Sequence, residues 1–162
     1  MRKYLRIVDN HRATKGQRFG NYIIDLISFY IIYFMFAGVL LLISPAFNHW
    51  ISNSSELSQR LVGILSYISY CFLIESITGG RSIGKLITGT KVIMIDGSKP
   101  KVGNFFVRNI IRGIILVDQL SFFGENGLHD SWSETRVINI KDYESERQTK
   151  DDINLIGTKD IS

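Results

Sequence analysis

Residues 22–44, YIIDLISFYIIYFMFAGVLLLIS, form one apolar run broken by a single charge, Asp25. No other feature of the chain restricts its fold as strongly. At 1.5 Å of rise per residue, roughly 20 helical residues cross a hydrocarbon core about 30 Å thick, so a helix over 19–44 is long enough to span a bilayer. A secretory signal has a shorter apolar core, roughly 7–15 residues, followed by a small-residue cleavage site. This run is longer and ends in Ser44-Pro45-Ala46-Phe47 with no A-x-A pattern, which predicts a retained span.

A second run, LVGILSYISYCFLIESI over 61–77, is shorter and wetter, with Glu75 near its end. Gly63, Ser66 and Ser69 recur every three residues, the kind of small-residue face on which two membrane helices approach. Cys71, the only cysteine, can form no intramolecular disulfide and reads as a small buried hydrophobe. The connection between the runs, PAFNHWISNSSELSQR, is polar and nearly neutral, with Trp50 suited to the interface. Its Asn53-Ser54-Ser55 tripeptide is a pattern common by chance and carries no weight.

Residues 78–103 carry five bases and one acid and are too rich in glycine to span. Thr90–Ile95 reads as a short extended piece turned by Asp96-Gly97-Ser98. Residues 104–123 have the length of a span, but Arg108, Arg112 and Asp118 interrupt it. Arg108 and Arg112 are four apart and share a helical face, with Phe105, Ile111 and Ile115 assigned to the opposite side. An amphipathic helix in the interface, or one dipping into the membrane, fits better than a third crossing.

The overall 45% hydrophobic content is ordinary, but the charges are segregated. Residues 1–18 hold six basic side chains against Asp9, whereas from residue 124 nine acids face five bases. A soluble domain spreads charge over amphipathic elements; a membrane protein confines it to segments in water. A basic arm can also mark nucleic-acid binding, yet this one runs directly into an apolar span, so no nucleic-acid partner is expected. Basic residues in the arm and in 78–103, and their scarcity in 45–60, place the N-terminus and the middle segment in the cytoplasm. With two crossings the C-terminus is cytoplasmic as well. The default membrane is a bacterial inner membrane.

The chemistry-bearing motifs are few. Gly79-Gly80-Arg81-Ser82-Ile83-Gly84-Lys85 matches seven positions of a phosphate-binding P-loop, but Leu86 stands where a Ser or Thr hydroxyl must meet magnesium. The motif also follows a span rather than a strand, so it is read as a decoy. His129-Asp130 has no accompanying ligand cluster among the three histidines, which favours hydrogen bonding over metal binding. No enzymatic motif is present; no catalytic residue, metal or cofactor is expected.

What remains is charge at membrane depth. An ionised group at the bilayer centre costs roughly 2.5–3.5 kcal/mol on insertion scales, so such groups face partners or a wet cavity. Arg18 and Asp25 are seven apart on one helical face, about 10 Å along the axis. In an antiparallel arrangement Asp25 and Glu75 fall at similar depth, where Arg108, Arg112 and Asp118 could join them. The cluster is either a neutralised network docking the third helix or a proton- or cation-exchanging site.

These residues resemble a known family, the RDD membrane proteins, named for an arginine and two aspartates. Arg18 with Ile24-Asp25 looks like its first-helix signature. Arg81-Ser82-Ile83-Gly84-Lys85, Thr90-Lys91-Val92 and Asp96-Gly97 look like its central stretch, and Val107-Arg108-Asn109 with Arg112 like its third segment. Gly127-Leu128-His129-Asp130, Ser133, Thr135 and Val137 are similar to its closing motif. The resemblance covers about residues 16–140, with Asp118 standing for the second family aspartate. Many relatives have a longer apolar stretch before the closing motif, which implies a shortened, in-plane third segment here. The family's activity is largely unassigned; ion or solute transport has been proposed for some members.

The expected architecture is an all-α membrane protein, a helical hairpin of two transmembrane helices plus an amphipathic or re-entrant third helix and a short extended cytoplasmic segment. Residues 1–17 form a basic arm, 18–140 the membrane domain, and 141–162 an acidic, flexible tail. Expected partners are the lipid bilayer and either further copies of the chain or a membrane protein. Two functions stand: small-cation, proton or solute transport by an oligomer, and a non-catalytic scaffold or accessory subunit recruiting partners through cytoplasmic segments.

Overall fold

Short hydroxyl side chains punctuate the chain, and several helices begin or end on one. The computed structural model describes residues 6–113 and 133–159, with side chains for 6–111 and 133–150. A short helix, α1 (Arg6–Asn10), precedes Thr14, whose hydroxyl accepts from Gln17 N at 3.1 Å while the Gln17 side chain accepts from Thr14 N at 2.9 Å. This reciprocal cap starts α2 (Lys15–Ile43). Ser44 then serves twice: its N–H donates to Leu40 O, ending α2, and its hydroxyl accepts from Phe47 N, starting α3 (Pro45–Asn53). Ser55 opens α4 (Glu56–Thr78), which Gly79 closes at φ 66°, a left-handed conformation that a Cβ disfavours. Ser82 caps the short α5 (Ile83–Ile87), and β1 (Thr90–Met94), α6 (Val102–Gly113), β2 (Thr135–Asn139) and α7 (Ile140–Lys159) follow.

Helices α2 and α4 contain 29 and 23 residues and are long and apolar enough to cross a membrane. Their outer surfaces are apolar: Phe34 is 65%, Leu42 87% and Ile77 83% exposed. A water-soluble monomer rarely leaves so much contiguous apolar surface open. Each helix buries one narrow stripe of three residues spaced by four, Asn21, Asp25 and Phe29 on α2 and Tyr67, Cys71 and Glu75 on α4. The apolar members meet: the Phe29 ring lies 5.2 Å from Tyr67, edge to face, and 5.5 Å from Tyr70. Gly63 of the small-residue face is not at this meeting point, since among the described residues nothing lies within 4 Å of where its Cβ would stand.

The extended piece at Thr90 pairs with a distant partner. Strands β1 and β2 are antiparallel, with Val92 opposite Val137 and Thr90 opposite Asn139. The segment before α2 joins the free edge of β2 through Ala13 N to Val137 O and Asn139 N to His11 O. Alternation along the strands divides the core. Ile93 and Ile138 pack with Val8 of α1 and Tyr143 of α7, while Val92 and Val137 pack with Ala13 and with Phe105 of α6.

The protein is therefore mostly helical with a small sheet, where an all-α fold was expected. The connection 45–60 contains a helix, and the acidic segment expected to be flexible is helical through Lys159. A buried Tyr143 and a Lys150–Glu146 pair at 2.6 Å, four residues apart, give α7 an anchor and a local stabiliser that composition does not reveal. Of the expected third helix, α6 covers Val102–Gly113, and 114–123 lies outside the described residues. The facing of α6 also differs. Phe105 and Ile111 are buried together with Arg108, whereas Phe106, Val107 and Ile110 are exposed. Residues three apart are only about 60° apart around a helix, so Phe105 and Ile111 flank Arg108 rather than oppose it.

Candidate functional site

The buried stripes of α2 and α4 each hold a carboxylate, and both carboxylates are fully buried. Helix α5 engages both. Its Gly84 N–H donates to Asp25 Oδ1 at 2.7 Å, and the next residue, Lys85, places its ammonium against Glu75 Oε1. Glycine is required at 84 because a Cβ would lie 2.3 Å from the Asn21 carbonyl oxygen. The tight approach of α5 to α2 thus depends on the absent side chain. Asn21, one turn before Asp25, joins the same residue of α5, Gly84, to β1. With its amide nitrogen toward Gly84 O, at 3.0 Å, its oxygen accepts from Thr90 Oγ1 at 2.9 Å.

Helix α6 supplies the rest. Asn109 Nδ2 donates to Glu75 Oε2 at 3.0 Å and to Phe105 O at 2.8 Å. Arg108 Nε lies 3.7 Å from the same carboxylate oxygen, and its Nη1 donates to Thr135 Oγ1 at 3.1 Å. Thr135 is 2.7 Å from Ser133 Oγ, so the guanidinium joins α4 to the start of β2. Arginine suits this position because one rigid planar fork can serve an acceptor on each side.

Asp25 and Glu75 are thus met by consecutive residues of one short helix. Glu75, Lys85, Arg108 and Asn109 form one buried group, with Lys85 2% and Arg108 2% exposed. Ions this deeply desolvated persist only when paired and hydrogen-bonded. Arg18 is half-buried at the α2 start, its Nε donating to Ala13 O at 3.2 Å. The Arg112 side chain, Asp118, His129 and Asp130 lie outside the described residues.

Sequence reasoning misses Lys85, Gly84, Asn21 and Asn109 as members of this site. Lys85 belongs to the stretch read as a P-loop decoy, yet the ammonium that would cradle a phosphate in such a loop meets a carboxylate here. The available signal is stoichiometric: Glu75 needs a buried cation, and Lys85 lies ten residues further on. Among the described residues no three His, Cys, Asp or Glu side chains converge to hold a metal ion.

Two apolar helices of spanning length and a buried ionic cluster at one end of both fit a membrane protein. The sequence model described as the RDD family matches residues 12–137, and the chain belongs to that family. The matched stretch includes Arg18, Asp25, Glu75, Lys85, Arg108 and Thr135. No curated protein and no solved structure matches the chain.

Proposed function

We propose that the protein is a two-span, multi-pass component of a bacterial inner membrane whose role is non-catalytic: it holds a cytoplasmic unit, α1, α7 and the β1–β2 sheet, against the bilayer for partners to recognise. The observation carrying this reading is how fully the two acids are engaged. Lys85 and Arg108 both face Glu75, Asp25 accepts from Gly84 N–H, and each carboxylate is thus held from another element. Such a group acts as a clamp between spans and sheet, and Glu75 can take up a further cation only by releasing Lys85 or Arg108.

The topology has its own support. The pairing of β2 with β1 supports a chain that leaves β1 and returns to β2 on one side of the membrane. That pairing favours an in-plane or re-entrant third segment over a single crossing by 104–123. The exposed Val102, Phe106, Val107 and Ile110 give α6 an apolar outer face suited to the interface. Five bases in 78–103, against a nearly neutral 45–60 connection, favour the cytoplasm for both termini.

A second reading is favoured by the depth of the two acids. Asp25 and Glu75 lie within spanning helices, where buried carboxylates commonly mark ion or proton pathways. Several copies could line such a pathway and exchange protons or small cations, or admit a polar solute.

Flux of Na⁺ or K⁺ driven by a pH gradient, measured in vesicles for wild type, Asp25→Asn and Glu75→Gln, separates the readings when paired with membrane level and unfolding midpoint. The clamp reading expects wild-type flux equal to empty vesicles and a lowered midpoint in both variants. Wild-type flux that disappears in a variant of normal midpoint would establish transport. A C-terminal tag reached from outside the cell would overturn the two-span topology.

A further inference from the structure

The loop after α4 leaves a basic and apolar surface that the clamp does not use. Val92 N donates to Gly80 O at 3.0 Å, which brings Arg81 beside Lys91 of β1. The Lys91 ammonium is held below the ordinary lysine range, by burial first and then by Arg81 and Lys99, with Glu144 opposing. Arg81 and Lys99 are thus close enough to act on Lys91, and Glu144 of α7 opposes them there. Among the described residues, Thr78 Oγ1 bonds the Arg81 backbone, and no ion pair or hydrogen bond engages the side chains of Arg81, Lys91 or Lys99.

Apolar side chains are exposed on α5, which lies between Arg81 and Lys91 in sequence, and on α6. Leu86 and Ile87 of α5 are 52% and 68% exposed although the preceding Lys85 is buried. On α6, the exposed Phe106 ring meets Phe72 of α4 edge to face at 5.8 Å, so the apolar surface continues from the spanning helix onto the in-plane one.

We propose that this surface binds the anionic lipids of the cytoplasmic leaflet, Arg81, Lys91 and Lys99 gathering headgroup phosphates while Leu86, Ile87, Phe106 and Ile110 enter the acyl boundary. The proposal rests on the reading of residues 78–103 as cytoplasmic and membrane-adjacent. Lipid is the occupant because the apolar face is continuous with the spanning helices and the charge is complementary to phosphate. Basic side chains near an anionic leaflet each strengthen attraction to it, and the effect is screened by salt.

The full chain is first tested for resistance to alkaline extraction from membranes; release there would remove the membrane reading itself. Detergent-purified protein is then titrated with phosphatidylglycerol, phosphatidylcholine or inorganic phosphate, and lipid retention is read by native mass spectrometry. The expected result is about tenfold tighter retention of phosphatidylglycerol than phosphatidylcholine, weakened by salt. That preference should disappear in the triple variant Arg81→Gln, Lys91→Gln, Lys99→Gln and persist in the charge-matched control Arg60→Gln, Lys141→Gln, Lys150→Gln. Equal retention of the two lipids, equal loss in both triple variants, or competition by inorganic phosphate at lipid concentrations would each overturn the proposal. If the first triple variant fails to fold, the wild-type lipid preference and its salt dependence decide the matter.

Discussion

The apolar helices and the sheet unit follow opposite rules within one chain. Around β1 and β2, Val8, Val92, Met94 and Ile138 are inside and lysines and glutamates are outside. On α2 and α4, Phe34, Phe36, Leu42 and Leu65 are outside, and the most completely buried side chains include Asp25 and Glu75. The difference reflects two solvents. Water rewards removal of apolar surface, whereas lipid tails offer helices little hydrophobic reason to associate, leaving packing and polar contacts to hold them. The ionic cluster lies where one rule gives way to the other, and α5 is the piece that ties them.

The strongest way to break this picture is Glu75→Leu, which leaves Lys85 and Arg108 buried without their shared carboxylate. A loss of about 3–5 kcal/mol is expected, read by unfolding in detergent. Adding Lys85→Met should recover part of it; an unchanged midpoint in the single variant would mean that the cluster does not join the two regions.

A paired truncation tests the two-solvent contrast. Ile138→Ala in the sheet core should cost about 2–5 kcal/mol, as core truncations in water do. Phe29→Ala between the spans should cost clearly less, since lipid tails are as apolar as the aromatic neighbours that this ring touches. Equal losses in one detergent system would dissolve the distinction.

Gly84→Ala sharpens the role of α5. The new methyl must displace either Asn21 or α5 itself, for an expected loss of about 1–3 kcal/mol with the ionic groups unchanged. Hydrogen exchange should then rise at Gly84 and Lys85 before it rises in α4.

The smallest effect concerns the outer edge of the sheet unit. Glu146 of α7 bonds Lys150 and His11, and those hydrogen bonds, the Lys150 one foremost, hold its carboxyl below the usual value of 4.5. A depressed carboxyl stabilises the folded form above the unfolded value and loses that contribution as pH falls through the lower folded value. Protection of 140–150 should therefore persist at neutral pH and fall only in acid below about 4.5, and Lys150→Ala should move that limit upward.

Much of this architecture is legible in the residues. The spans follow from uninterrupted apolar length, and their carboxylates stand out because so little else there is charged. Even the buried stripes are present in the sequence as spacing: Asn21, Asp25, Phe29 and Tyr67, Cys71, Glu75. The partners are harder to see because they depend on approaches across long sequence separations. Gly84 meets Asp25 across 59 residues, and Asn109 meets Glu75 across 34. The facing of α6 departs from expectation because a three-residue spacing puts Phe105 beside Arg108, not opposite it. Helix α7 is hidden because composition reports solubility but not the Tyr143 anchor.

The order of residues around Glu75 bears on how the protein is made. A chain synthesised from its N-terminus delivers this acid to the membrane ten residues ahead of Lys85 and 34 ahead of Asn109. The newborn helix can therefore meet lipid before Lys85 is seated against it, a state in which a carboxylate is best accommodated near the headgroups. Maturation then consists of Lys85 and Arg108 arriving and fixing the charge in place. Strand β2 completes the assembly only after α6 and every element before it have been made.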